Sequence, residues 1–155
     1  MLTNIGCDQV SKTIVRRNID YSENIKLLYN HITLTKIENS GAFLSLGESL
    51  PVLIKNILLS VLPLIAIAFG LVFVLTKTNI TKIQLAGACF IIGGGIGNIF
   101  DRIAYGSVTD FLHIDFGIFK TGIFNMADVS IMTGTFVILI QSYFKRKVLS
   151  DFKSE

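Results

Sequence analysis

Three stretches of the chain are dominated by apolar residues, at about 53–75, 83–103 and 127–143. The first, LIKNILLSVLPLIAIAFGLVFVL, carries Lys55 at its edge and Pro63 inside. A helix that crosses a bilayer needs about 20 mainly apolar residues, and tilt relaxes that length. The pattern therefore predicts three spans. Between them the periodicity changes. In HITLTKI, Ile32 and Leu34 alternate with Thr33 and Thr35. In SVTDFLHIDF, Val108, Asp110, Leu112 and Ile114 alternate with Thr109, Phe111 and His113. A period of two with β-branched residues predicts short strands. ENSGAF, Glu38 to Phe43, predicts a turn, because Asn and Gly tolerate positive φ.

Composition points the same way. Apolar residues make up 51% of the chain and charged residues 16%, against roughly 25% charge in soluble domains. Mean hydropathy is +0.62. The class is thus an α-helical integral membrane protein, and its 155 residues form one membrane-embedded domain. The net charge of +3 is small and the basic residues form no stripe, so nucleic acid is excluded as a partner. No CxxC or His/Cys cluster is present, and His31 and His113 lie far apart, so neither metal nor cofactor is expected. Cys89, in an apolar run, is expected to be a buried thiol. GGGIGN, Gly93 to Asn98, lacks the Lys-Ser/Thr of a phosphate loop, and small residues inside a span favour close helix packing.

Charge sets the orientation. Lys77 and Lys82 bracket the link between the first two spans, and Lys145, Arg146 and Lys147 follow the third. The positive-inside rule assigns both groups to the cytoplasm. Residues 8–52 and 104–124 then face outward, although the first of these carries Lys12, Arg16, Arg17, Lys26 and Lys36. A basic segment of that kind needs an apolar helix ahead of it, and MLTNIGC is about a third of a span. The expectation is a longer native reading frame or a fragment, with most of a first helix upstream.

Polar residues gather at the outward edge. Asp8 and Lys12 are four apart and share a helical face, as do Asn98 and Asp101 at three apart. Arg102 cannot face the adjacent Asp101 on a helix, and Asp110 or Asp128 is its expected partner. Asp110 falls in a strand of the outer link and Asp128 begins the last span, so both lie at one bilayer face. Two close carboxylates share a proton and can act together as general base and general acid, which suffices to hydrolyse a peptide bond without metal. Local capping or pairing by each Asp is the alternative, and spacing alone leaves both open. Acids beside a membrane also mark ion paths, but a transporter places them near the midplane, and the middles of the first and third spans carry no charge.

With those residues in view, the chain resembles bacterial lipoprotein signal peptidase, also called signal peptidase II. The resemblance rests on DQVSK (Asp8 to Lys12), ENSGAF, GGGIGNIFDRIAYGSVTDF (Gly93 to Phe111) and FNMADVSI (Phe124 to Ile131), in the family's order. It implies a four-helix bundle with a small extracytoplasmic β-cradle in the bacterial cytoplasmic (inner) membrane, with a cytoplasmic C-terminus. It also implies an aspartic endopeptidase that cuts diacylglyceryl-modified prolipoproteins just before the lipidated cysteine. Asp110 and Asp128 take the catalytic dyad. Asn39, Gly41, Asn98, Asp101, Arg102, Asn125, Ala127, Asp8 and Lys12 bind substrate or support the site. Membrane lipid and globomycin-like cyclic peptide inhibitors are the further expected partners, and the chain is expected to be a monomer. A non-catalytic relative or an impaired fragment is the rival within the same resemblance.

Overall fold

In the computed structural model, which describes residues 1–42 and 46–151, helices of one bundle carry a three-stranded sheet at one end. Helix α1 is Leu2–Asn18, and the strands β1 (Asn24–Leu27) and β2 (Ile32–Asn39) follow it. Helix α2 runs over Val52–Thr76, α3 over Lys82–Tyr105, β3 over Val108–Ile114 and α4 over Met126–Asp151. The three predicted spans correspond to α2, α3 and the first 20 residues of α4, each long and apolar enough to cross a bilayer. Phe43 of the predicted turn, and the side chains of Arg146 and Lys147, lie outside the described residues.

Both ends of α3 follow from its sequence. Thr81 caps α3 in a box with Gln84: Gln84 N–H donates to Thr81 Oγ1 at 3.2 Å, and Thr81 N–H donates to Gln84 Oε1 at 3.1 Å. At the other end Gly106 takes φ 78°, which lets the chain leave α3 and turn at once into β3. Within α2, Pro63 has no N–H to give Leu59, and the preceding turn Ile57–Val61 widens to a π-helix that absorbs the mismatch. No residue of α2 is buried by the rest of the protein, so lipid is the medium that covers it.

The helices approach through glycines. A Cβ at Gly94 would strike the Ala127 carbonyl oxygen, and one at Gly87 would lie 2.9 Å from Gly134 O. The GGGIGN run is thus a packing notch on α3, where Gly93 and Gly97 face α1, Gly95 faces α2 and Gly94 faces α4. Cys89 is half-buried rather than buried, and Cys7 is exposed.

Strand order is β1-β2-β3, antiparallel throughout. Alternation predicts β2 and β3; β1, short and largely exposed, offers no alternation to read. One irregularity matters for the site. Leu34 pairs with Leu112 but Ile37 pairs with Asp110, so two residues of β2 oppose Phe111 alone. Beside this bulge, Phe111 and Leu112 both donate their N–H to Phe124 O, at 3.0 and 2.8 Å. Both side chains pack into the apolar cluster of Val15, Ile19, Ile25, Leu34 and Met126. Simple alternation along β3 therefore fails at Phe111–Leu112, and His113 joins Asp110 on the opposite face.

Candidate active site

The floor of the site is a buried ionic cluster between α1, α3 and α4. Lys12 and Asp8, one turn apart on α1, pair at 2.8 Å, and Lys12 Nζ also pairs with Asp101 Oδ2 of α3 at 3.0 Å. All three side chains are fully buried. Asp8 reaches α4 as well, accepting from the Ala127 N–H at 2.9 Å. Gln9 Nε2 closes the cluster, donating toward Asp8 Oδ2, Asp101 Oδ1 and Gly97 O at 3.1, 3.1 and 3.2 Å. Arg16 completes Asp101 at 3.0 Å and stacks on the Tyr105 ring, 3.9 Å from its centroid. Much of the positive charge that the sequence places before β1 is thus neutralised inside the fold.

Above the cluster sit the two candidate carboxylates. Asp110 accepts from Asn39 Nδ2 at 2.9 Å and from Asn125 Nδ2 at 2.6 Å. Asp128 accepts from Asn98 Nδ2 at 2.8 Å and from the Asn125 backbone N–H at 3.1 Å. Asn125 accepts in turn from the Asp128 N–H at 3.0 Å, a reciprocal cap on the first turn of α4. The free N–H groups of that turn favour negative charge there. Asn125 therefore holds both acids at once.

Each asparagine is oriented from its carbonyl end by a group that can only donate. Asn98 Oδ1 accepts from Lys12 Nζ at 2.9 Å, Asn39 Oδ1 from the Gly41 N–H at 2.9 Å, and Asn125 Oδ1 from the Asp128 N–H. The amide NH2 of each is left facing a carboxylate. Lys12 thereby bears on Asp128 through Asn98 without touching it.

Both acids line one cavity of about 50 Å³ with Asn39, Asn98, Arg102 and Asn125. A water needs roughly 10–15 Å³, so the cavity has room for at least one. Burial raises the Asp110 carboxyl from 3.8 to about 6; donation by Asn39 and Asn125 works against this, and the Asp128 charge adds to it. A protonated acid and an ionised one facing a water can together donate and accept protons. The expected ion pair of Arg102 is not what forms: its guanidinium donates to Gly41 O at 3.1 Å and toward Asn98 O at 3.5 Å, while Nε, buried, has no partner among the described residues. Arg102 clamps the turn after β2 onto α3 instead.

Some contributors were not singled out by the sequence, although most lie within its motif blocks. Glu38 accepts from Ser107 Oγ at 2.6 Å and Thr109 Oγ1 at 2.9 Å, and Thr109 Oγ1 accepts from Arg16 Nε at 2.8 Å, tying β2, β3 and α1 together beneath Asp110. Gln9 lies inside the DQVSK block and Arg16 four residues beyond it, but their partners Asp101 and Thr109 lie about 90 positions away in the chain. Among the described residues no group of His, Cys, Asp or Glu would hold a metal ion.

Fold and site together define a polytopic membrane protein with a carboxylate-lined cavity where its bundle meets its sheet. Residues 1–144 match the family described as Signal peptidase (SPase) II. The chain is 38% identical over 135 residues to the lipoprotein signal peptidase of Wigglesworthia glossinidia brevipalpis, covering 86% of this chain and 84% of that one. With the lipoprotein signal peptidase of Francisella tularensis subsp. novicida it shares 32% over 144 residues, covering 92% and 88%. A bacterial membrane enzyme solved by the in meso method at 2.3 Å resolution superposes with a TM-score of 0.81 at 21% identity, over 99% of this chain and 87% of that one, a likeness of fold alone. The chain belongs to the signal peptidase II family, and is a protease.

Proposed function

We propose that this protein is an aspartic endopeptidase that removes signal peptides from diacylglyceryl-modified prolipoproteins, cutting before the lipidated cysteine, with Asp110 and Asp128 as its dyad. The observation that carries the reading is the bridge through Asn125, which brings both carboxylates to one cavity. Asp128 takes a proton from the water as it attacks the scissile carbonyl, and Asp110 gives its proton to the carbonyl oxygen. The resulting tetrahedral diol collapses as a proton passes to the leaving amine, which yields the free acid and the new amino terminus. Asn39, Asn98 and Asn125 hold the acids, and Lys12, Asp8, Asp101, Gly41, Arg102 and Ala127 hold the elements that carry them. Orientation in the bacterial cytoplasmic membrane follows from charge. Lys77, Lys82 and Lys145 lie at the end of the bundle remote from the cavity, which supports an extracytoplasmic site and a cytoplasmic C-terminus. The protein works as a monomer, and globomycin competes for the site.

The test is cleavage of a diacylglyceryl-modified prolipoprotein in detergent or liposomes, with and without globomycin. Globomycin-sensitive cleavage that disappears in Asp110→Asn and in Asp128→Asn is the expected result. Cleavage at the parental rate by both variants overturns the dyad.

A further inference from the structure

Lys36 and Glu38 stand on either side of Ile37 in β2, and strand alternation sends the two of them to one face. Ile37 takes the other face, where it lines a groove beside Asp110 and His113. On their own face Lys36 and Glu38 wall a cavity of about 300 Å³ with Arg16, Tyr21, Tyr105 and Ser107. Its charges are not matched from within. Arg16 is held by Asp101 at 3.0 Å. Glu38 accepts one hydroxyl on each oxygen, from Ser107 and Thr109, and a carboxylate has about four lone-pair sites, so it can accept more. Lys36 is only 8% exposed, yet it pairs with no carboxylate among the described residues. Its Nζ has a 3.4 Å contact to Arg16 O and the face of the Tyr21 ring, 4.3 Å from the centroid. A lysine is almost never buried without an anion, because the desolvated charge is costly. The cavity thus presents an unanswered cation and a half-satisfied carboxylate on strand positions about 7 Å apart.

The place of the cavity in the fold selects what reaches it. Tyr105 is the last residue of a span, at the level where hydrocarbon gives way to headgroups. Its ring meets that of Phe100 edge-on at 6.4 Å, and Phe100, exposed, continues this wall down the lipid-facing side of α3. The geometry points to a binding site for the headgroup of a zwitterionic phospholipid, a phosphodiester that carries a primary amine. The phosphate takes Lys36 Nζ, which swings from its weak hold on Arg16 O. The ammonium donates to Glu38, and the acyl chains follow Phe100. An anionic headgroup would answer Lys36 but set like charge against Glu38, and a quaternary amine has no N–H to donate to the carboxylate. The inference needs the membrane spans and is independent of the peptidase reading.

The experiment is native mass spectrometry of the full chain in detergent, titrated with phosphatidylethanolamine, phosphatidylglycerol or phosphatidylcholine of one acyl-chain length. The parental protein retains one phosphatidylethanolamine at least about tenfold more tightly than either other lipid, the worth of one hydrogen bond to a charged group. Free phosphoethanolamine at the same concentration does not displace it. Lys36→Met and Glu38→Gln each reduce the preference to less than about threefold. If Glu38→Gln, which disturbs two hydroxyl contacts, does not fold, Lys36→Met decides alone, since it breaks no native ion pair. Equal retention of the three lipids overturns the inference, as does a preference for phosphatidylglycerol or a preference that survives Lys36→Met. Displacement by the free headgroup overturns the lipid as its source.

Discussion

Gly97 of α3 lies against the carboxylate of Asp8 on α1, so close that a Cβ at position 97 would stand 2.5 Å from Asp8 Oδ2. The acid cannot retreat cheaply, because its other oxygen accepts the Ala127 N–H and its charge faces Lys12. Gly97→Ala therefore destabilises the protein by about 1–3 kcal/mol, the usual cost of overpacking. Gly94→Ala is worse, since backbone rather than side chain stands in the way. Thermal unfolding in detergent measures both, and a melting temperature unchanged in either variant refutes the packing account.

Removing the lysine under the site should cost more than removing any exposed cation. Lys12→Met leaves Asp8 and Asp101 buried with most of their compensation gone, a loss of about 3–5 kcal/mol for a broken buried pair. Lys26→Met, on a strand where the lysine is exposed, serves as the comparison and shifts stability by less than about 0.5 kcal/mol. Equal melting shifts for the two would mean that the cluster does not contribute as a unit.

Substitution of either candidate carboxylate should separate chemistry from folding. Asp110→Asn and Asp128→Asn preserve volume, and in the second variant the side-chain carbonyl can still accept the Asn125 N–H. We expect cleavage to fall by at least about 10²-fold in each, the usual contribution of a positioned acid or base, with little change in melting temperature. A fall in rate matched by a loss of folded protein would assign these residues a structural role instead.

Titration of Asp110 gives a signed prediction. Its folded value, about 6, lies above the ordinary 3.8, so the folded protein holds this proton more tightly than the unfolded chain does. The stabilisation from the bound proton is complete below about 3.8 and is lost as pH rises through about 6. Stability should thus decline across that window, and Asp110→Asn should flatten the decline. If Asp110 donates its proton in catalysis, kcat/KM falls above about pH 6. Asn39→Ala removes a donor that favours the ionised form, so this fall should move to higher pH; a midpoint that stays in place or moves down contradicts the assignment.

Much of this is legible in the chain, for physical reasons that also explain what is not. The spans declare themselves because hydrocarbon demands about 20 apolar residues in a row, and the Asp8–Lys12 pair because helical spacing is local. Asp101 and Asn98 as partners of Lys12 depend on how α1 packs on α3, which no local period encodes. The face switch at Phe111–Leu112 is hidden for a related reason. It arises from a register shift against β2 and a doubled hydrogen bond to Phe124 O, both tertiary. Strict alternation therefore places Asp110 with Leu112, and leaves the groove beside His113 unread. The roles of the asparagines come from family resemblance; their common orientation emerges only with their donors in view.

The polar cluster has a further consequence for how the bundle assembles. To an apolar side chain in a bilayer, lipid tails and a neighbouring helix are nearly equivalent, so greasy faces alone say little about which helix belongs beside which. Turning α3 by one residue, about 100° about its axis, would carry Asp101 away from Lys12 and bring side-chain bulk where Gly94 and Gly97 now leave room. The ions and the glycine notches act as lock and key for assembly, admitting one rotation of α1, α3 and α4 against one another and rejecting the adjacent ones.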